Sequence, residues 1–267
     1  YFLFIEETEN ALGNKAKVEL FNFRTLSPKR MKDANDNISE VVTDELGLVK
    51  AMAVFGKGNE ADDLTGLNEF SSPAEIALVN DFFNVPASDV LTTHGKNLLH
   101  HATARFVYGF DVYKNSGKPV VVASIVREEH FQKNNNSPVQ ISFEYSNGFG
   151  QVVMKKVQAE PGFAKQVTIN PDDIYTISEI DTSASEPRQL RWIGNGRTVL
   201  NNKGNAVKQY EPYFSVSHQY EDLKELVETG VTPLMYYDAA GRLVKTEMPD
   251  ITFSKTEFDA WKQLIYD

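Results

Sequence analysis

Apolar and polar positions alternate with a period of two along much of this chain, and short polar turns separate the alternating runs. Lys15-Ala16-Lys17-Val18-Glu19-Leu20-Phe21-Asn22-Phe23 alternates in its later part, as a half-buried strand does. Residues 38–42 and 48–55 read as two more strands around a turn at Gly47, and 56–63 as a polar loop. Residues 139–145 and 151–158 predict a hairpin turning at Gly148-Phe149-Gly150. Residues 119–126 are the most apolar run and predict a buried strand. Shorter strands are expected at 106–108, at 174–177, near Trp192 and at 198–200. Residues 161–190 carry the least pattern, with exposed loops expected at 170–173 and 181–187.

Helical spacing replaces alternation over residues 72–104. Ser72-Pro73 suits a helix start, with Ile76, Val79, Phe82 and Phe83 near helical spacing, and a second short helix is expected near 96–104. The pair reads as an insertion that packs on the sheet within a single region, 1–267. Ser217 is expected to cap a further helix running through Val227, with Gly230 as its stop.

One stretch gives the turns a common grammar. In Tyr236-Tyr237-Asp238-Ala239-Ala240-Gly241-Arg242-Leu243-Val244, Asp238 can hydrogen-bond its own turn backbone and Gly241 supplies a positive φ. Residues 143–153, with Tyr145 and Gly150, are a second copy with one extra turn residue, the segment 200–207 with Gly204 a third, and 110–120, turning at Asn115-Ser116-Gly117, a fourth. Residues 43–49 with Gly47, and 10–14 with Gly13, are degenerate copies. Such recurrence points to a repeat architecture of irregular spacing.

Tyr237-Asp238-x-x-Gly241-Arg242-Leu243 resembles the YD repeat of the RHS family. Other stretches narrow the resemblance: Leu26-Ser27-Pro28 with Asp33 to Asn37, His101-Ala102-Thr103-Ala104-Arg105, Arg127-Glu128-Glu129-His130, and Ala159-Glu160-Pro161-Gly162. So do Gly196-Arg197-Thr198-Val199, Asn201-Asn202-Lys203-Gly204 and Gln209 to Phe214. Their order is similar to the shell-forming region of the B component of insecticidal toxin complexes (Tc toxins), and related sequence occurs in the Salmonella virulence plasmid protein B group. The resemblance implies a mainly β fold: antiparallel hairpin repeats forming part of a curved shell or spiral sheet, with a few short helices. It implies a structural segment of a secreted shell that encapsulates a toxic polypeptide, with the remainder of the parent shell chain and a C-component toxin as partners. Tyr237, Asp238, Gly241, Arg242, Tyr145, Gly150, Gly204 and Gly47 are then repeat-signature residues with structural roles. The other reading is a cell-surface YD-repeat module that binds carbohydrate or protein through aromatics such as Tyr210, Tyr213 and Phe214.

Composition narrows the function classes. The 267 residues carry a net charge of −10, which opposes a nucleic-acid surface and adhesion to anionic membranes. With no cysteine, disulfides, thiol nucleophiles and thiolate metal sites are excluded. No run is long enough for a transmembrane helix, so direct membrane insertion is not expected. The first residues, Tyr1 to Glu6, read as a strand cut from a longer chain.

Candidate chemistry is thin. Asp33-Ala34-Asn35-Asp36-Asn37 opens like a calcium loop, but Ile38 stands where that loop needs glycine and Asp44 where it needs glutamate. A repeat turn fits it better. His100 and His101 are neighbours that point apart on a helix and are poorly placed to share a metal. Gly194-Asn195-Gly196-Arg197-Thr198 lacks the Gly-Lys pair of a phosphate loop, and no serine sits in a nucleophile elbow. The expectation is a protein without catalytic residues, metal or cofactor.

Overall fold

The computed structural model describes residues 4–172, 174–185, 188–230 and 232–267. It is mainly β, with four helices among the described residues, and it divides into two units. Residues 1–109 and 122–142 form the first, 110–121 and 143–267 the second, so that strands β7 and β8 pass from one into the other. The expected strand over residues 1–6 lies partly outside the described residues. Phe4 to Glu6 are not in a strand, and the first strand is β1, Glu7–Glu9.

In the first unit β1, β2 (Lys15–Asn22), β3 (Ser27–Lys32), β4 (Ile38–Thr43) and β5 (Val49–Phe55) follow one another as an antiparallel meander. Two helices then intervene, α1 (Pro73–Asn84) and α2 (Asp89–Leu99), before β6 (Ala104–Gly109) pairs back against β5. Ser72 caps α1, its hydroxyl accepting from Glu75 N–H at 3.1 Å. The second helix starts earlier than its apolar residues suggested, because the Ser88 hydroxyl caps it. It ends at Leu99, and Ala104 already belongs to β6.

Strands β7 (Val120–Arg127) and β8 (Val139–Ser146) follow β6 in the sheet order. In β7, Val121, Ala123, Ile125 and Arg127 are buried while Val120 and Val126 are exposed. The most apolar run is therefore a one-sided strand. Phe82, Leu91, Leu98 and Leu99 from the helices join Val107, Ile125 and Ile141 in the core of this unit. Each contributes on the order of 2 kcal/mol by leaving water. The approach of α2 depends on Gly95, where a β-carbon would lie 3.2 Å from Ile141 Cδ1.

The segment 110–120 differs from expectation. It holds α3 (Asp111–Ser116), not a hairpin, and Gly117 is its left-handed C-terminal cap, donating to Tyr113 C=O at 2.8 Å. Three residues before Gly117 stands Lys114, which offers no side-chain acceptor to a turn.

In the second unit β8 is followed in the sheet by β9 (Val152–Ala159). The order continues with β12 (Arg191–Gly194), β15 (Tyr213–Ser215), β10 (Phe163–Ile169) and β11 (Tyr175–Asp181). The β10–β15 pair is parallel, which makes the sheet mixed. The weakly patterned region 161–190 thus contains the long β10–β11 hairpin. Asp173, Glu186 and Pro187, in the two expected loops, lie outside the described residues.

A separate open sheet has the order β13 (Thr198–Leu200), β14 (Ala206–Gln209), β16 (Leu234–Tyr237), β17 (Leu243–Glu247), β18 (Phe253–Phe258), β19 (Gln263–Tyr266). The helix expected from Ser217 shrinks to α4, Lys224–Val227, preceded by an irregular strap over 216–223. The Ser217 hydroxyl caps only a local turn, accepting from Gln219 N–H, and Glu221 is drawn into the core.

The helical insertion is fastened to its sheet by charge. Glu75 of α1 sits 2.9 Å from Lys50 Nζ of β5 and 2.7 Å from Arg105 Nη2 of β6. Both cations are buried, and burial pushes the Arg105 guanidinium down from its ordinary value. Removing the carboxylate leaves two buried cations without their anion. Glu75→Gln is therefore expected to cost about 3 kcal/mol, read as a lowered midpoint in urea unfolding. A loss under ~1 kcal/mol would show the triad to be solvated.

Candidate functional site

The turn built on Asp238 works as a five-residue unit. Asp238 N–H donates to Arg242 C=O and Gly241 N–H to Asp238 C=O, each at 3.0 Å. The carboxylate caps the inside, accepting from Ala240 N–H and Arg242 N–H at 2.9 Å. Gly241 has φ 83°. The register between β16 and β17 shifts between Tyr236 and Tyr237, so this is a type I turn closed by a left-handed bulge residue.

The same bonds recur along the chain. Asn10, Asp33, Asp44, Asn147 and Asn201 each accept through Oδ1 from the backbone N–H groups two and four residues on. Three residues after each comes a left-handed residue: Gly13, Asp36, Gly47, Gly150 and Gly204. Asp33 to Asn37 is therefore one of these turns, with aspartate in the glycine's place. Asn170 makes the two side-chain bonds in the β10–β11 turn as well. In the turn of residues 248–252 the left-handed place falls to Ile251, with φ 73°.

Signature residues at Gly204 and Gly241 are neighbours in the second unit. A β-carbon at Gly204 would run into the Gln151 side chain, and one at Gly241 would lie 3.6 Å from Asn205 Nδ2. Lys203 Nζ donates to Ala239 C=O. The turns at 147–151, 201–205 and 238–242 thus stack edge to edge. Arg242 Nε donates to Asp238 Oδ2 at 2.7 Å, and its guanidinium lies 4.3 Å from the centre of the Phe258 ring. Tyr237 O–H donates to Ala206 C=O at 2.7 Å, tying β16 to β14. Tyr145 plays a different part, since it is buried and donates to His218 C=O at 2.8 Å. Gly47, in the first unit, lies beside Thr25 in a turn whose Glu45 C=O accepts from Arg24 Nη1.

Buried polar clusters add what sequence alone did not single out. Asp62 is almost fully buried and accepts from the Thr103 hydroxyl and Phe131 N–H at 2.6 Å, and faces His130 Nδ1 at 2.8 Å. Beside it His101 Nδ1 meets Asp63 at 3.1 Å, its ring stacked on Phe131 at 3.7 Å, along an open polar cleft that Lys133 also lines. His100 takes a positive φ just past α2 and stays exposed. Among the described residues no group of three or more histidines and carboxylates is placed to hold a metal, and no helix is long and apolar enough to cross a membrane. In the second unit Lys156, Tyr213, Ser215 and Glu221 converge. Of the aromatics weighed for ligand binding, Tyr213 is buried, while Tyr210 and Phe214 are partly exposed. Gly194 to Thr198 connects β12 to β13 and opens no helix.

No protein-family model matches this chain, and no curated protein matches it. Solved structures do. The crystal structure of TcdB2-TccC3 matches with a TM-score of 0.65 over 99% of this chain at 21% identity. That of TcdB2-TccC3-TEV gives 0.66 over 99% at 17%, and a Photorhabdus luminescens Tc holotoxin pore with a mutated TccC3 gives 0.62 over 99% at 18%. The fold is that of Tc toxin chains. This chain spans only 12% of the first of those chains and 14% of the other two.

Two expectations follow for the turns. Gly241→Val forces a β-branched side chain into a left-handed conformation and should destabilise by more than ~1 kcal/mol. Ile251 is exposed and already in that conformation, so Ile251→Asn should stabilise by about 1 kcal/mol. Paired urea melts decide, and equal midpoints for both variants would sink the turn assignment.

The second is a pH effect. The backbone N–H and guanidinium of Arg242 hold the Asp238 carboxyl below its usual range. Since the folded value is the lower, its contribution is complete above about pH 4 and is lost as pH falls through the folded value. Asp238→Asn keeps the acceptor and drops the charge. Its unfolding midpoint should fall less steeply below pH 4 than that of the unaltered chain, and parallel profiles would contradict this.

Proposed function

We propose that this chain is a stretch of wall in an RHS-type shell, like that of a Tc toxin B component, and that the shell encloses a toxic polypeptide for delivery. The observation that carries the proposal is the match to Tc toxin chains over 99% of this chain while spanning 12% of the first matched chain. The stacked turns at 147–151, 201–205 and 238–242 support it, because a wall of hairpins needs neighbouring turns that nest side by side. In this reading the chain works with the remainder of a parent shell chain, takes a C-component polypeptide as cargo, acts after secretion and catalyses nothing itself. The buried clusters serve the wall by holding the helices and the strap to their sheets. A glycan- or protein-binding module is the weaker reading, since burial of Tyr213 splits the aromatic group that such a module would offer.

A chimera tests the proposal. Residues 4–267 replace the matched stretch of TcdB2-TccC3, and the C-terminal toxin polypeptide is challenged with protease. The expected result is a chimera that assembles and keeps the polypeptide protected. A chimera that folds, as judged by its circular dichroism and melt, but leaves the polypeptide digestible would overturn the wall assignment.

A further inference from the structure

The polar cluster at the heart of the second unit has the makings of a covalent staple. Lys156 lies on an inward position of β9 and has no exposure at all. Its Nζ is in hydrogen-bond contact with Glu221 Oε2, from the strap over 216–223. The same oxygen accepts from Tyr213 O–H at 2.9 Å, and Oε1 accepts from the fully buried Ser215 hydroxyl at 2.7 Å. The Tyr213 ring closes the site: Lys156 Nζ stands 4.6 Å from its centre, and a β-carbon at Gly194 would lie 2.7 Å from its edge. Trp192, Phe143 and Tyr145 are buried in the same unit.

Such surroundings disfavour a separated ion pair. Burial pushes the Lys156 ammonium down, toward the neutral amine that can act as a nucleophile. The two partners stand 65 positions apart in a chain without cysteine, where no disulfide can fasten the strap.

We infer that Lys156 and Glu221 form an intramolecular amide, an isopeptide bond that staples the strap 216–223 to β9. Lys156 first passes one proton to Glu221 Oε2, leaving amine and carboxylic acid. The amine lone pair attacks Glu221 Cδ and forms the N–C bond, while the carbonyl electrons move onto Oε1, where the Ser215 hydroxyl stabilises the oxyanion. A second proton passes from nitrogen to Oε2, with Tyr213 O–H beside it as donor. The Cδ–Oε2 bond breaks and water leaves. Ammonium plus carboxylate thus gives amide plus one water, with no oxidant, metal or activated co-substrate.

Intact mass spectrometry of the folded chain, denatured just before injection, tests this. The expected mass is about 18 Da, one water, below that of the sequence. Tryptic digestion should then show no cleavage after Lys156 and a branched peptide joining it to the peptide that holds Glu221. That fragment separates the staple from any water loss elsewhere. Lys156→Arg should return to its own sequence mass, and Glu221→Gln should lose about 17 Da, as ammonia replaces water as the leaving group. Unmodified mass for the folded wild-type chain after prolonged incubation, with normal cleavage after Lys156, would overturn the proposal and leave a buried ion pair. Because the wild-type measurement is decisive alone, a variant that fails to fold does not blunt the test.

Discussion

The fold depends on one small device, an Asp or Asn side chain that accepts two backbone N–H groups of its own turn while a left-handed residue three places on closes it. The device solves two problems together. It satisfies turn donors that neither strand can reach, and it adds the bulge whose twist matches that of the flanking strands. Register shifts after Val42, Val199 and Tyr236 mark the bulge in β4–β5, β13–β14 and β16–β17. Because the side-chain period in a strand is two, a slip of one residue at any of these turns would exchange the faces of the whole hairpin. The turn therefore fixes which residues are core.

Buried charge is the second constraint, and it acts where the sheets meet their accessories. Glu75 joins α1 to Lys50 and Arg105, Asp62 joins the loop carrying His130 and Phe131 to Thr103, and Glu221 joins the strap to Lys156. In each case a carboxylate from a non-strand segment reaches a polar group on a strand or at its entry. Apolar packing alone would hold these segments with similar energy but less uniquely, since hydrophobic contact is not directional. A carboxylate with fixed donors permits one docking position. For these segments we take the charged contacts to set position more than net stability, because desolvation offsets much of the Coulomb attraction.

This division explains what could be read from sequence. Turns with Asp or Asn three places before a glycine were legible, because donor, acceptor and conformational need all lie within five residues. The hairpin expected at 110–120 failed on that criterion: Lys114 occupies the acceptor's place and Gly117 caps a helix instead. Val120, Val207 and Val244 stand three places after Gly117, Gly204 and Gly241 alike, so that position does not tell a hairpin from a helix cap. Of the β10–β11 hairpin, the turn and the start of β11 match the loop expected at 170–173 and the strand expected at 174–177. Strand β10 has no counterpart among the expected strands, because Asn170 opens a turn without glycine and so does not mark a hairpin. The helix from Ser217 was lost to tertiary structure, since Glu221 gains more from Lys156, Tyr213 and Ser215 than from solvent on a helix face. Lys50 and Lys156 stayed hidden for a related reason. Lys156 sits at an inward place in an alternating strand, and Lys50 at the bulge where the β4–β5 register shifts, so each reads as a break in the pattern until its carboxylate partner is seen.

The two kinds of contact divide the work by distance. A turn must be specified locally, because it forms before its strands have partners, and a side chain that binds its own backbone needs nothing else. A helix or strap must find a sheet many residues away, at an entropic cost that rises slowly with separation. There a buried carboxylate gives little until its donors are in place and much once they are, which makes docking all or none. A sheet of hairpins that are locally specified, with accessories that lock only when it is complete, can extend by adding units without redesigning those already present. Here that property follows from where the carboxylates and amides fall in the chain.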